Sequence, residues 1–478
     1  MQVKVKRSDV VWSYLGTFFS LCSNLITIPL VVFFFDEEVL GLWNVFVAVG
    51  TIAILFDFGF TVTFARNITY CWSGARRVLA EGVEHGEEGR EPDFALMKRI
   101  CGTSRMVYLI VSVIALVLML TVGTWYIVRI SGDMEGYSHL VAWFIYTIGT
   151  FLNLYFNYYD SFLRGVGAVD AANKNRVISR IVHLTLMTAL LLCGTGIIGA
   201  SIAYLAYGLV FRLLGRKKFY AFEGIGDKLK AVAEKVSRSE MVSLFKTIWH
   251  NAWRDGLIHV ASYACDSFSV VVFPLFLGLA ESAVYSTTLQ IGTAVAAMSS
   301  VLHIAYQPSI QAAYVKRDTG KLRDSISLIM FVYVVSFAFA TLLAAAAGLP
   351  ILHWLKPGMA FSIPLLLGIC ANQFLLMYVK CYTYYLSSTN RLIYMPAFVI
   401  TAAACVGLWF LLLGPLHMGV WGIILAQVGL QLAFNAWYWR RFVHRELGLS
   451  VPYMYHSGKA QLVEEWAHIR GKLSHKTA

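Results

Sequence analysis

The chain has 478 residues, of which 58% are hydrophobic and 14% charged, with a formal net charge of +12 and a mean hydropathy of +0.65. A soluble domain carries about 25% charged residues, so this balance excludes a water-soluble globule and points to an integral membrane protein. The basic residues lie between apolar segments and not along one solvated face, which excludes a nucleic-acid footprint and points to membrane topology and anionic lipid.

The basic opening MQVKVKR runs into an apolar segment that no small-residue cleavage site closes, so it reads as a retained first helix. Twelve spans are predicted, at 9–35, 38–64, 104–130, 138–163, 176–195, 197–215, 248–277, 281–306, 324–348, 359–386, 392–414 and 416–439. Pro29, Pro274 and Pro364 fall inside spans, where they mark kinks. Arg129 and Lys356 alone lie in the loops or adjoining span ends of one side, and Arg254 and Lys380 lie deeper within spans; every other Lys and Arg falls in the loops, termini or adjoining span ends of the opposite side. That bias places both termini in the cytoplasm. The segment 216–247 is expected to be a basic cytoplasmic linker with a short amphipathic helix on the bilayer surface, separating a bundle at 1–215 from a second at 248–440. The tail 441–478 is expected to be cytoplasmic, with a peripheral amphipathic piece from Leu462 to Leu473. The fold class is therefore all-α and membrane-embedded, two six-helix bundles.

An internal repeat is suggested by polar faces. Ser13, Thr17, Ser20 and Asn24 in helix 1 are spaced as Asp255, His259, Ser262 and Asp266 are in helix 7. Repeats of even helix number and like orientation put a substrate path between the halves.

The candidate site residues are those that are expensive at membrane depth. Asp57 sits about two turns inside its span, and a carboxylate there costs about 2.5–3.5 kcal/mol on insertion scales, so it faces protein or water. Its two readings are a helix-to-helix hydrogen bond and a substrate or ion site. In helix 7, Asn251, Asp255, His259, Ser262 and Asp266 form a stripe beside Arg254; it either lines an aqueous cavity or ties helix 7 to the Asn24 face of helix 1. Lys380, following Asn372 and Gln373, is a substrate contact or a snorkelling end. His303 and Gln307 either face the cavity or mark its wet end, and Asp160 with Arg164 reads as a structural i, i+4 pair. Cavity cations suit a pyrophosphate, and Tyr155, Asn157, Tyr158, Tyr382 and Tyr384 suit sugar faces and hydroxyls. The 8 cysteines show no CxxC or Cys/His spacing, which argues against zinc and a disulfide scaffold. No phosphate loop, HExxH or GxSxG is present, so the chain is not expected to be an enzyme, and no cofactor is expected beyond protons or sodium as candidate coupling ions.

Over Leu30–Ala75 the chain resembles a Wzx-type polysaccharide (O-antigen) flippase of the multidrug/oligosaccharidyl-lipid/polysaccharide exporter superfamily. The resemblance rests on Glu38-Val39-Leu40-Gly41-Leu42-Trp43, Leu55-Phe56-Asp57-Phe58-Gly59-Phe60, Ala65-Arg66-Asn67 and Gly74-Ala75, with Leu163-Arg164-Gly165-Val166-Gly167 ending helix 4. It implies a MATE-like pair of bundles in the bacterial cytoplasmic (inner) membrane, working by alternating access. It also implies an undecaprenyl-diphosphate-linked oligosaccharide as cargo, with polysaccharide-assembly proteins as candidate partners. Asp57, Asp255 and Asp266 are then the candidates for ion coupling. The acidic helix 7 departs from a purely cationic cavity. That keeps an organic-cation antiporter of the same superfamily as the alternative. A membrane-bound polymerase or acyltransferase is disfavoured by the short outer loops.

Overall fold

The computed structural model describes residues 26–72, 74, 91–132, 134–233, 236–303, 306, 310, 313–314, 317–388 and 391–474; for Val62, 250–252, Asp255, Ser388 and 464–474 only the backbone is described. Among the described residues the chain is helical, and nine helices are long and apolar enough to cross a membrane. They correspond to predicted spans 2–6 and 9–12. The first predicted span lies mostly outside the described residues. Spans 7 and 8 are helical but are not among the nine.

The polarity of the helices is that of a membrane protein. On α3 (Phe94–Ile130), Leu109, Ile110, Val113, Ile114 and Val117 form an exposed stripe, while Tyr108, Ser112, Ala115 and Met119 are buried. Hydroxyls on the buried side, such as Ser104, Thr147 and Thr150, are wholly enclosed. Apolar groups outside and small polar groups inside suit lipid as solvent, where nothing is gained by hiding hydrocarbon.

The chain divides into two compact units, Met1–Val260 with Gly278–Ala283, and Ala261–Leu277 with Val284–Ala478. In the first, predicted helix 2 is not continuous. It is α1 (Glu37–Leu55) and α2 (Phe60–Trp72), broken at Phe58 and Gly59, whose φ values are 43° and 74°. Predicted helix 4 is likewise broken, into α4 (Ser138–Tyr155) and α5 (Tyr158–Gly165). After α6 (Val169–Leu192) and α7 (Gly196–Ala221), the expected linker contains α8 (Ile225–Ala231). This helix packs against the first unit. Ile225 is fully buried, Phe222 packs on Trp72 with ring centroids 6.0 Å apart, and Lys98 Nζ donates to Val232 O at 2.6 Å.

Helix α9 (Arg238–Asp266) crosses from the first unit to the second, with the division at Val260 and Ala261. It ends at Asp266, and α10 (Ser269–Val272) and α11 (Pro274–Ser299) follow. The second unit continues through α12 (Thr319–Leu355), α13 (Ile363–Ser388), α14 (Met395–Leu413) and α15 (Gly419–Leu447). The tail forms α16 (Val451–Ser474), whose first part packs on the second unit, while the side chains of most of the expected peripheral piece, Leu462 to Leu473, lie outside the described residues. Asp324 Oδ1 accepts from Tyr453 Oη at 2.7 Å and from Ser457 Oγ at 2.8 Å, and Gln461 Nε2 donates to Asp324 O at 3.0 Å. Gly458 lets this helix lie against Ser327 and Phe331, since a Cβ there would stand 2.7 Å from Ser327 O. Over Tyr453–Gln461 the tail is docked along α12.

Candidate functional site

The break between α1 and α2 puts Asp57 at the head of α2, where its backbone carbonyl accepts from Phe60 N at 2.7 Å and its Oδ2 from Thr61 N at 3.4 Å. A carboxylate at a helix N-terminus is favoured by the orphan N–H groups and the positive end of the helix dipole. The positive φ at Phe58 is strained for a bulky side chain, and its neighbours hold it there. The Phe58 ring packs edge-on against Trp249, with centroids 5.9 Å apart, and Gly256 of α9 lies against its backbone. A Cβ at Gly256 would stand 2.9 Å from Phe58 Cα, so a glycine is required for this approach.

From Asp57 a single-file chain of hydrogen bonds leads to the second broken helix. Tyr108 Oη donates to Asp57 Oδ1 at 2.5 Å, Thr61 Oγ1 lies 2.8 Å from Tyr108 Oη, and Asn157 Nδ2 donates to Thr61 Oγ1 at 2.8 Å. Each hydroxyl has one proton to give, so with Tyr108 donating to the carboxylate, Thr61 must donate to Tyr108. Every proton in the chain points toward Asp57. Both discontinuities of the first unit are therefore joined through one polar node. Of its members, the sequence singled out Asp57 for its burial and Asn157 as a sugar contact; Tyr108 and Thr61 were not singled out, because a Tyr and a Thr in apolar spans carry no signal of their own.

The two motifs that carried the resemblance meet close by. Gly165 on α5 packs on α2 so closely that a Cβ would stand 2.8 Å from Ala65 O, and Thr69 Oγ1 donates to Gly165 O at 2.9 Å. Gly167, with φ 81°, closes the helix end, and Ala168 N reaches back to Leu163 O at 2.9 Å. Asp160 is 2% exposed and held by Arg164 Nε at 2.7 Å and Arg176 Nη2 at 3.2 Å, a three-membered ion cluster where a pair was expected.

The helix 7 stripe divides between the units. Arg254 and His259 belong to the first and are exposed, with the Arg254 guanidinium 5.6 Å from the Trp253 ring. Asn251 and Asp255 lie on the same helix, but their side chains, like Asn24 and Gln307, fall outside the described residues. In the second unit, Asp266 Oδ1 accepts from Gln373 Nε2 at 2.6 Å. Gln427 Nε2 donates to Cys265 O at 3.1 Å, and Asn372 Nδ2 to Gln427 Oε1 at 2.9 Å. These buried amides stitch the end of α9 to α13 and α15. Lys380 is half-buried beside a cavity of about 10 Å³ that Ser262, Thr401, Gln431 and Asn435 also line. His303 is buried against Tyr384, with ring centroids 3.7 Å apart. Among the described residues no His, Cys, Asp or Glu cluster suits a metal ion.

No protein-family model matches the chain, and neither does any curated protein. By structure it is similar to an inward-facing multidrug resistance MATE family transporter of the MOP superfamily, with a TM-score of 0.69 and 15% identity over 91% of this chain and 95% of the other. The fold is that of a MATE transporter. An outward-facing multidrug resistance MATE transporter of the same superfamily gives a TM-score of 0.56 at 16% identity, covering 93% of this chain and 97% of the other. A MOP superfamily transporter from Pyrococcus furiosus Vc1, described as having a binding pocket of reverse polarity, gives 0.50 at 14% identity, covering 92% and 96%. These neighbours are transporters and not enzymes, and the chain is a multi-pass membrane protein of that fold.

Proposed function

We propose that the chain is an ion-coupled flippase that moves a lipid-linked oligosaccharide across the bacterial cytoplasmic membrane by alternating access, with Asp57 as its coupling residue. The observation that carries this reading is the hydrogen-bonded node joining two broken helices, since discontinuous membrane helices with polar groups at the break are where transporters bind and respond. Ionised, Asp57 accepts from Tyr108 and orders every donor in the chain toward itself. Protonated, it becomes a donor; Tyr108 and Thr61 then turn to donate the other way, and Asn157 must present its carbonyl in place of its amine. A proton at the α1–α2 break is thereby registered at the α4–α5 break.

Two features support the flippase over the organic-cation antiporter. The described acids of the candidate site, Asp57 and Asp266, each accept from an internal neutral donor, Tyr108 and Gln373. The motifs that resemble the flippase branch are those that build the node and its support at Gly165. A MOP superfamily neighbour is described as having a binding pocket of reverse polarity that suggests a different function.

The test follows lipid-linked oligosaccharide on each leaflet in cells lacking the protein. Accumulation on the cytoplasmic leaflet, relieved by the wild type and not by Asp57→Asn, is the expected result. Unchanged glycolipid together with new sensitivity to cationic drugs would instead establish the antiporter.

A further inference from the structure

A cavity of about 1340 Å³ in the first unit opens where the start of α3, the α4–α5 break, the end of α7 and α8 come together. Among the described residues, six cations line it, Lys98, Arg105, Arg212, Arg216, Lys217 and Lys230, and no carboxylate does. Among the described residues Lys230 alone of them has an acidic partner, the exposed Asp227 at 3.3 Å. Arg105, Arg212, Arg216 and Lys217 form no ion pair among the described residues. Six like charges around one space repel, and at the short range of a pocket wall that repulsion is relieved by an anion between them.

The cavity also has an aromatic wall. The Arg212 guanidinium lies 4.4 Å from the Phe156 ring centroid and Arg105 lies 6.0 Å from that of Tyr158, while Tyr220 accepts a hydrogen bond from Arg105. Stacked and tethered in this way, the two guanidinium groups are held in place with no ion-pair partner among the described residues, and a planar fork of donors matches phosphate oxygens two at a time. Apolar faces beside fixed cations suit an amphiphile better than a free ion.

We infer that this cavity is a binding site for the phosphate or diphosphate headgroup of a membrane lipid. The shared chemistry is a phosphate ester on a hydrocarbon chain, whether of bulk anionic phospholipid or of a polyprenyl diphosphate. Basic pockets between membrane helices on the Lys/Arg-rich side take such headgroups. The site is separate from the Asp57 node, yet its wall includes Tyr155, Phe156 and Tyr158, which flank Asn157 at the α4–α5 break. A headgroup in the cavity thus rests on the element at which the hydrogen-bond chain ends.

The test is binding by the purified full-length protein in nanodiscs of phosphatidylcholine doped with phosphatidylglycerol, cardiolipin or undecaprenyl diphosphate, read by native mass spectrometry, with inorganic pyrophosphate as the headgroup alone. Arg212→Gln with Arg216→Gln and Lys217→Gln is compared with a control of equal charge loss outside the cavity, Lys228→Gln with Arg238→Gln and Lys246→Gln. All three control positions are exposed, as are Arg216 and Lys217, so the double variant Arg216→Gln/Lys217→Gln provides a second readout at no risk to folding. The expected result is saturable retention of anionic lipid by the wild type and the control, weakened at least tenfold in the cavity triple and less in the double. Preference for undecaprenyl diphosphate identifies the lipid carrier, and equal retention of the phospholipids identifies a resident lipid site. Equal loss in the control and cavity triples, or no preference over phosphatidylcholine, overturns the inference. Retention is measured without transport, so failure of the flippase reading leaves it standing.

Discussion

Thr61 is the residue on which the node turns, because it is the one member bonded on both sides by neutral groups. Thr61→Val keeps its shape and leaves Tyr108 donating to Asp57, but it severs Asn157 from the chain. A neutral hydrogen bond contributes about 0.5–1.5 kcal/mol net, and a buried donor left unpaired costs about 1–3 kcal/mol. Thr61→Val is therefore expected to reach the membrane in normal amount and to transport about tenfold more slowly. Tyr108→Phe, which deprives the carboxylate itself, is expected to be more severe. Wild-type rates in Thr61→Val, measured as flipped glycolipid per protein, would exclude a relay through this hydroxyl. At this scale the sequence was informative only where a charge made burial expensive. Asp57 stands out for that reason, whereas the hydroxyls that give it meaning are ordinary residues until the fold assembles them.

At the scale of elements, the decisive features are breaks, and periodicity does not see them. Residues 38–64 read as one apolar run because Phe56, Phe58 and Phe60 keep the hydropathy high across the turn. The local signal was Asp57-Phe58-Gly59, a capping acid two residues ahead of a glycine able to take φ 74°. The α4–α5 break had less to show, since Phe156 and Asn157 both keep negative φ. What holds the first break in place is α9, through the glycine slot at Gly256. A methyl there must displace Phe58 backbone and not a flexible chain end, so overpacking of about 1–3 kcal/mol is expected. Gly256→Ala is predicted to lower the unfolding midpoint in detergent and to impair transport with Asp57 intact. The same change at Gly407, which has open space around it, is predicted to do neither. Equal effects at the two glycines would mean that the slot does not position the break.

Across the whole molecule, the expected orientation rests on Lys and Arg counts that no packing detail alters. The helical architecture was legible for the same kind of reason, lipid enforcing long apolar helices, while helix ends moved by as much as ten residues where amphipathic turns continue a span, as at Phe94 and Arg238. The chain carries its own reporter for orientation. Cys193 is exposed at the turn Gly194-Thr195-Gly196 between α6 and α7, on the side where only Arg129 and Lys356 interrupt the shortage of cations. The other six described cysteines are buried. If both termini are cytoplasmic, a membrane-impermeant maleimide should label the protein from outside intact spheroplasts, and Cys193→Ser should remove that label. Thiols of low exposure react slowly even when reached, so the contrast between Cys193 and the rest should survive partial leakage of the reagent. Labelling only after the membrane is opened, again lost in Cys193→Ser, would invert the topology. The cationic cavity would then face the outer leaflet, a headgroup held there would be one already delivered, and the direction of transport would have to be read the other way.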